Sequence, residues 1–320
     1  MNILNITPWK NAWIDEWTQF WTDHKHVPGW IIGQPTNYEL MKNVYWADVI
    51  LMHWANEQAI YISNNLPKGK RLFIVARSYE INSSYGRGKL LPAINWKNVE
   101  KVFLLNESMK HFFEQVVKGK EVAFFRNGLN IEQWDVPHET KDPTKIAFVC
   151  DLSERKGINM AVQAMHTIRK VIPNAEMHHI GRTEDFRGVS YLQNTMSRLN
   201  MPFVCHGYKC DKEFVYDFLK DKKFILSSSV VEGNPMNILE AMASGVIPLV
   251  HGWPGAHDQF PEKVVWDTMD QLHDIVSKIM NPGVLYFEGE DARNWAVENF
   301  DYRKTFIPVL KAINPQDLAV

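Results

Sequence analysis

The chain has 320 residues, more than one hydrophobic core usually serves, so two domains are expected. Its 45% hydrophobic and 22% charged residues are those of an ordinary globular protein, and a net charge of -2 gives no global field favouring nucleic acid or anionic membrane. No apolar run reaches about 18 residues, so no transmembrane helix is expected.

The first residues, MNILNITPWK, lack a basic segment ahead of the apolar stretch. They read as a first strand rather than a signal peptide. Further strands are expected at Trp30–Ile32, Asp48–His53, Arg71–Val75, Lys101–Leu105 and Glu121–Phe125. These runs are apolar on both faces, as buried parallel strands are. Helices are expected between them at Ala12–Asp23, Tyr38–Val44, Glu57–Asn65 and Glu107–Val117. Trp9, Trp13, Trp17 and Trp21 recur every fourth residue, which makes a stripe on one helix face packed on a sheet. Trp9 precedes the helix and is the candidate for stacking on a ligand.

The polar stretch Asp135–Lys145 (DVPHETKDPTK) reads as a linker. The alternation then restarts. Strands are expected at Lys145–Cys150, Glu176–Ile180, Phe203–His206, Phe224–Ser228, Val246–Val250 and Val264–Trp266. Helices are expected at Gly157–Ile172, Ser190–Leu199, Lys212–Leu219, Pro235–Ser244 and Asp270–Met280, with a helical tail over Asp291–Ala312 that breaks near Asp301. Strand–helix alternation predicts an α/β chain of two Rossmann-like, doubly wound parallel-sheet domains facing a central cleft. The domains are residues 1–138 and 139–300, with the C-terminal helix 301–320 completing the first. Ligands of such sheets bind beyond the carboxyl ends of the strands, so the residues just after each strand are the candidates.

Two of those segments carry chemistry. In DLSERKG (Asp151–Gly157), Gly157 turns the chain into a helix beside Arg155 and Lys156. Helix amides, helix dipole and two cations suit an anion, with a diphosphate the natural occupant. In SVVEGNPMNILEAMASGVIPLV (Ser229–Val250), Pro235 suits the first position of a helix and Asn234 its cap, which aims the amides of Met236 and Asn237 outward. Glu232 before the helix and Glu240 within it can each accept hydrogen bonds from a different pair of hydroxyls.

The second segment resembles the E-x7-E signature of retaining glycosyltransferases of the GT-B fold, in particular glycosyltransferase family 4. FFRNGLNIEQW, FVCDLSERKGINMAVQAM, HHIGR and CHGYKCDKEFVYDFL resemble further elements of that family in the same order. The resemblance implies an enzyme that moves a hexose from a nucleoside-diphosphate sugar, with UDP-glucose as the default, to an acceptor hydroxyl. It implies retention of anomeric configuration and no metal or other cofactor. It gives Glu232 the donor sugar, Glu240 the ribose and Lys156 the diphosphate, whose leaving charge Arg155 is expected to share. Gly233, Asn234, Pro235, Met236 and Asn237 become a backbone cradle, and Gly207, Tyr208 and Lys209 lie at the base. Where the family has an arginine this chain has Asp151, so Arg155 or Arg182 is the candidate replacement. The family's glycine-rich loop after the first strand is replaced by Thr7-Pro8-Trp9-Lys10.

The resemblance assigns the acceptor to the first domain. There Trp9, His53, Arg77, Glu80 and Asn127 follow strands and are the cleft candidates, with Arg77 standing where the family often has a histidine. The acceptor class is open: glycan, small molecule, protein or modified DNA. Cys150, Cys205 and Cys210 are sparse and match no zinc spacing. They read as buried thiols of a cytoplasmic protein. The rival readings are an epimerase or phosphorylase on the same fold, or a non-catalytic nucleotide-sugar-binding subunit.

Overall fold

A computed structural model describes residues 1–11, 13–134, 141–209 and 211–318. The chain divides into two compact units, Met1–Leu129 with Asp301–Val320, and Asn130–Phe300. The first boundary therefore lies at Leu129 rather than at 138. The reason is Trp134, which is buried and whose carbonyl accepts from Arg293 of the second unit at 3.3 Å.

The first unit holds β1 (Asn2–Thr7), β2 (Val27–Ile32), β3 (Val49–Met52), β4 (Arg71–Val75), β5 (Lys101–Leu104) and β6 (Val122–Phe124). All pair in parallel, in the order β2-β1-β3-β4-β5-β6. Its helices are α1 (Ile14–Asp23), α2 (Asn37–Trp46), α3 (Glu57–Asn64), α4 (Ser78–Asn82), α5 (Leu91–Ala93) and α6 (Ser108–Val116). Every residue of β3 is buried, as the unbroken apolar run VILM requires. Thr36 and Glu39 form a reciprocal capping box at the start of α2. α4 and α5 were not expected; five and three residues are too few to show a helical period. Trp13, Trp17 and Trp21 are buried on the face of α1, whereas Trp9, before the helix, is 53% exposed.

The second unit holds β7 (Asp142–Val149), β8 (Glu176–Ile180), β9 (Phe203–Cys205), β10 (Lys222–Ser227), β11 (Ile247–His251) and β12 (Val265–Trp266). They too are all parallel, in the order β12-β11-β10-β7-β8-β9. Its helices are α7 (Ile158–Val171), α8 (Phe186–Arg198), α9 (Lys212–Leu219), α10 (Met236–Ala243), α11 (Met269–Met280) and α12 (Gly289–Phe300). Of the expected linker, residues 135–140 lie outside the described residues, and the rest is largely strand. Asp142–Lys145 open β7 because their polar side chains find partners there. Lys145 Nζ lies 2.7 Å from Asp221 beside β10, and Asp142 accepts from Thr144. α8 starts earlier than the expected Ser190 because the Asp185 carboxylate caps it through Arg187 N.

The tail returns to the first unit as α13 (Tyr302–Thr305) and α14 (Ile307–Ile313). Phe306 stacks on Trp17 at 3.8 Å and 10°, and Arg71 donates to the carbonyl of Ile313. Two strand orders set up two sites. The order reverses between β1 and β3 in the first unit and between β7 and β10 in the second. In open parallel sheets such switch points open a crevice at the carboxyl ends of the strands.

Candidate active site

At the switch point of the second unit, the chain leaving β7 meets the chain leaving β10. Ser228 Oγ donates to Lys156 O at 2.9 Å, and Val230 N donates to Arg155 O at 3.0 Å. Gly157 makes this approach possible. Its φ is +65°, and any Cβ would collide with the Ser228 carbonyl.

The result is a cluster of charges around Glu232. Its carboxylate accepts from Lys156 Nζ at 2.6 Å, from Ser229 Oγ at 2.8 Å and from Arg155 Nη1 at 3.3 Å. Glu232 is 8% exposed. Burial alone would raise its pKa, but the two cations and the bonds from Lys156 and Ser229 outweigh it and hold the carboxyl below its ordinary value. The carboxylate is therefore ionised, and it fixes the Lys156 ammonium. That ammonium has three N–H groups. Arg155 keeps half of its side chain in solvent.

The turn after Glu232 departs from expectation. Pro235 itself is the N-cap of α10, and no side chain caps that helix. Asn234 instead donates to Gln259 Oε1 at 2.6 Å, while Gln259 Nε2 donates to the Gly233 carbonyl at 2.9 Å. Gln259 is fully buried and clamps the turn from both sides. Nothing in the sequence marked it, because it lies on a loop between β11 and β12. Asn237 donates to Val149 O at 2.6 Å, which ties the start of α10 to the end of β7. Met236 and Asn237 are half-buried in the first turn of α10, Glu240 is half-buried further along, and Pro235 is buried.

A second group forms where β8 and β9 end. Arg182 Nη2 lies 2.6 Å from Tyr208 Oη, with its guanidinium 4.0 Å from the ring centre. Its backbone N–H goes to Asp151 at 2.8 Å. Of the two arginines considered as replacements at Asp151, Arg155 therefore joins Glu232, and Arg182 joins Tyr208. Gly207 takes φ +76°, and Lys209 lies 4.2 Å from the Phe214 ring. Cys205 is exposed on the edge strand β9 rather than buried, with Sγ 3.5 Å from His179 Nδ1. Cys210 lies outside the described residues. Among the described residues no three His, Cys, Asp or Glu side chains converge as a metal site.

The first-unit candidates also come together. Arg77 donates to Asn127 Oδ1 at 2.7 Å and to His53 O at 3.1 Å, and its backbone N–H goes to Glu80 at 2.9 Å. His53 is fully buried among Trp13, Trp17 and Trp30, and burial with the nearby Arg77 charge keeps its pKa well below the ordinary value. It is a neutral packing residue. Burial pushes the Glu80 carboxyl up to about 7 and the Arg77 guanidinium down to about 10.

Residues 130–281 match the model of the glycosyl transferases group 1 family. The chain is 23% identical over 245 residues to an uncharacterized glycosyltransferase of Methanocaldococcus jannaschii, covering 69% of this chain and 60% of that one. It is 23% identical over 219 residues to the poly(glycerol-phosphate) alpha-glucosyltransferase of Bacillus subtilis, covering 63% of this chain and 32% of that one. The chain thus spans between 32% and 60% of the curated relatives it matches. Anabaena HepE, solved with UDP and glucose, superposes with a TM-score of 0.76 at 13% identity, over 98% of this chain and 100% of that one. Residues 130–281 are thus similar to the group 1 glycosyl transferases, in a chain whose fold is the GT-B fold.

Proposed function

We propose that the protein is a retaining, metal-independent glycosyltransferase of the family 4 type. It takes a hexose from a nucleoside-diphosphate sugar, with UDP-glucose the first donor to test, and passes it to an acceptor hydroxyl. The observation that carries this reading is the Lys156–Glu232–Arg155 cluster at the switch point between β7 and β10. The Bacillus subtilis relative, named as an alpha-glucosyltransferase, and the UDP- and glucose-bound HepE support the donor class.

Each residue then has a chemical task. Breaking the bond to the anomeric carbon leaves negative charge on the diphosphate. Lys156 has N–H groups to spare beyond the one on Glu232, and Arg155 stands partly in solvent, so both can meet that charge. The uncapped amides at the start of α10 add donors aimed at an anion or a sugar oxygen. Glu232, held ionised, accepts from sugar hydroxyls and keeps Lys156 in place. Glu240 accepts from the ribose. Tyr208, with Arg182 on its ring, offers a flat face to the base. The lack of a transmembrane-length apolar helix among the described residues and the sparse cysteines support a cytoplasmic location.

The test is a thermal-shift screen over UDP, GDP and ADP sugars, followed by transfer assays with EDTA and NMR of the product anomer. One nucleotide sugar should raise the Tm of the wild type and lose that effect in Lys156→Ala. Transfer with inversion, or transfer abolished by EDTA, would overturn the mechanism. Unchanged transfer in both Lys156→Ala and Glu232→Gln would overturn the site.

A further inference from the structure

The first unit has a switch point of its own, and its residues are not accounted for by packing. Trp9 follows β1 and Trp54 follows β3, so the two stand on the strands between which the order reverses. Their rings meet at 4.8 Å and 58°. Arg77 follows β4, the next strand, and is 6% exposed. Its guanidinium lies 5.1 Å from the Trp13 ring centre and 5.9 Å from that of Trp54. One nitrogen, Nη2, is buried and has no hydrogen-bond partner among the described residues. The indole Nε1 of Trp54 is buried and lacks a partner in the same way.

No carboxylate contacts the guanidinium among the described residues, and Glu80 acts on its charge only without contact. The two acceptors that Arg77 does reach, His53 O and Asn127 Oδ1, are neutral. Glu80 is the closest acid in sequence, but its carboxylate oxygens take the backbone N–H groups of Ala55 and Arg77, not the guanidinium. Burial also biases Glu80 towards its neutral form. His53 next to it stays neutral. A buried guanidinium with no contacting carboxylate is costly, and an oxyanion placed at Nη2 would offset that cost. Water would satisfy the N–H but not the charge. Trp9, half in solvent, is the outer wall of the same group and gives a sugar ring or other flat surface something to lie on.

We propose that the first unit carries an anion site at its β1/β3 switch point, in which Arg77 and Trp54 bind a carboxylate or phosphate and Trp9 packs on the body that bears it. Resting on the transferase reading above, this site makes the acceptor an anionic molecule. The bonds from Nε and Nη1 fix the guanidinium, and the N–H groups left on Nη2 suit either oxyanion.

The experiment uses the full chain carrying Lys156→Ala and Glu232→Gln, so that the anion-binding cluster of the second unit is disabled. Inorganic phosphate, glucuronate and neutral glucose are titrated while tryptophan fluorescence and Tm are followed. Saturable binding of phosphate or glucuronate but not of glucose is expected, and which of the two binds tells the phosphate source from the carboxylate source. Adding Arg77→Gln should weaken that binding at least tenfold. Should Arg77→Gln fail to fold by circular dichroism, Trp54→Phe keeps the ring, removes the N–H, and should weaken binding several-fold. No saturable binding of either anion, or binding unchanged in the folded variants, overturns the proposal. Because this background has lost the catalytic cluster, the result stands apart from the wild-type donor screen. Failure of that screen would remove the transferase reading and leave the anion site in place.

Discussion

Lys156 Nζ lies 2.6 Å from Glu232 Oε1, across 76 residues of sequence. One residue leaves β7 and the other leaves β10. The pair is buried enough that neither charge is comfortable without the other. Replacing Lys156 with Ala should lower the transfer rate by about 10²–10³, the size expected for losing one preorganised partner of developing charge. It should also destabilise the fold, since Glu232 keeps its burial and loses its nearest cation. The double variant Lys156→Met/Glu232→Gln should unfold at higher urea than the sum of the single losses predicts. Strict additivity would show that the pair is not coupled.

Gly157 is the hinge of that meeting. Gly157→Ala puts a Cβ into the Ser228 carbonyl at a backbone angle that side chains avoid. A cost of more than about 3 kcal/mol is expected. Urea unfolding of Gly157→Ala against Gly119→Ala gives the comparison, because Gly119 also has positive φ but open space around it. Equal losses would leave the strand-end contact unimportant.

Gln259 clamps the turn that follows Glu232. Gln259→Leu fills the space but removes the donor to the Gly233 carbonyl and the acceptor of Asn234. The expected loss is about 3 kcal/mol of stability. Donor affinity should weaken while the affinity for anions in the first unit stays the same. A Gln259→Leu protein with wild-type donor affinity would show that the turn holds its shape alone.

Two buried glutamates give opposite pH signatures. Glu80 is raised to about 7, so it holds a proton in the folded chain that the unfolded chain releases near 4.5. Its stabilisation is full below 4.5 and is lost as pH rises to about 7. Glu232 is lowered, so its contribution is present above 4.5 and is lost as pH falls through its folded value. Urea midpoints between pH 4 and 8 should therefore fall less on the alkaline side in Glu80→Gln. They should fall less on the acid side in Glu232→Gln. A Glu80→Gln profile parallel to wild type would mean that the carboxyl is ionised throughout.

Much of this was legible in the residues. The runs LNI, VILM and LFIV read as buried strands, and their alternation with amphipathic stretches predicts a doubly wound sheet. The Gly-Asn-Pro turn and the RKG loop announced themselves through their backbone demands. The residues that escaped notice have ordinary local sequence. Gln259 sits in a loop without a motif, and Trp134 follows a stretch that resembles the end of a domain. Asp142–Lys145 looked like linker because their partner, Asp221, is far along the chain.

The sequence alone determined the number of sheets, the order of the strands along the chain and the residue types gathered after each strand, because apolar runs and turn chemistry are local properties. Tertiary structure decided which of those residues meet. Parallel pairing of β7 with β10 put Lys156 and Arg155 on Glu232, and that of β8 with β9 put Arg182 on Tyr208. The pairing of β1 with β3 put Trp9 against Trp54. Strand order is set by how two faces of helices cover a sheet, and no window of sequence contains that information.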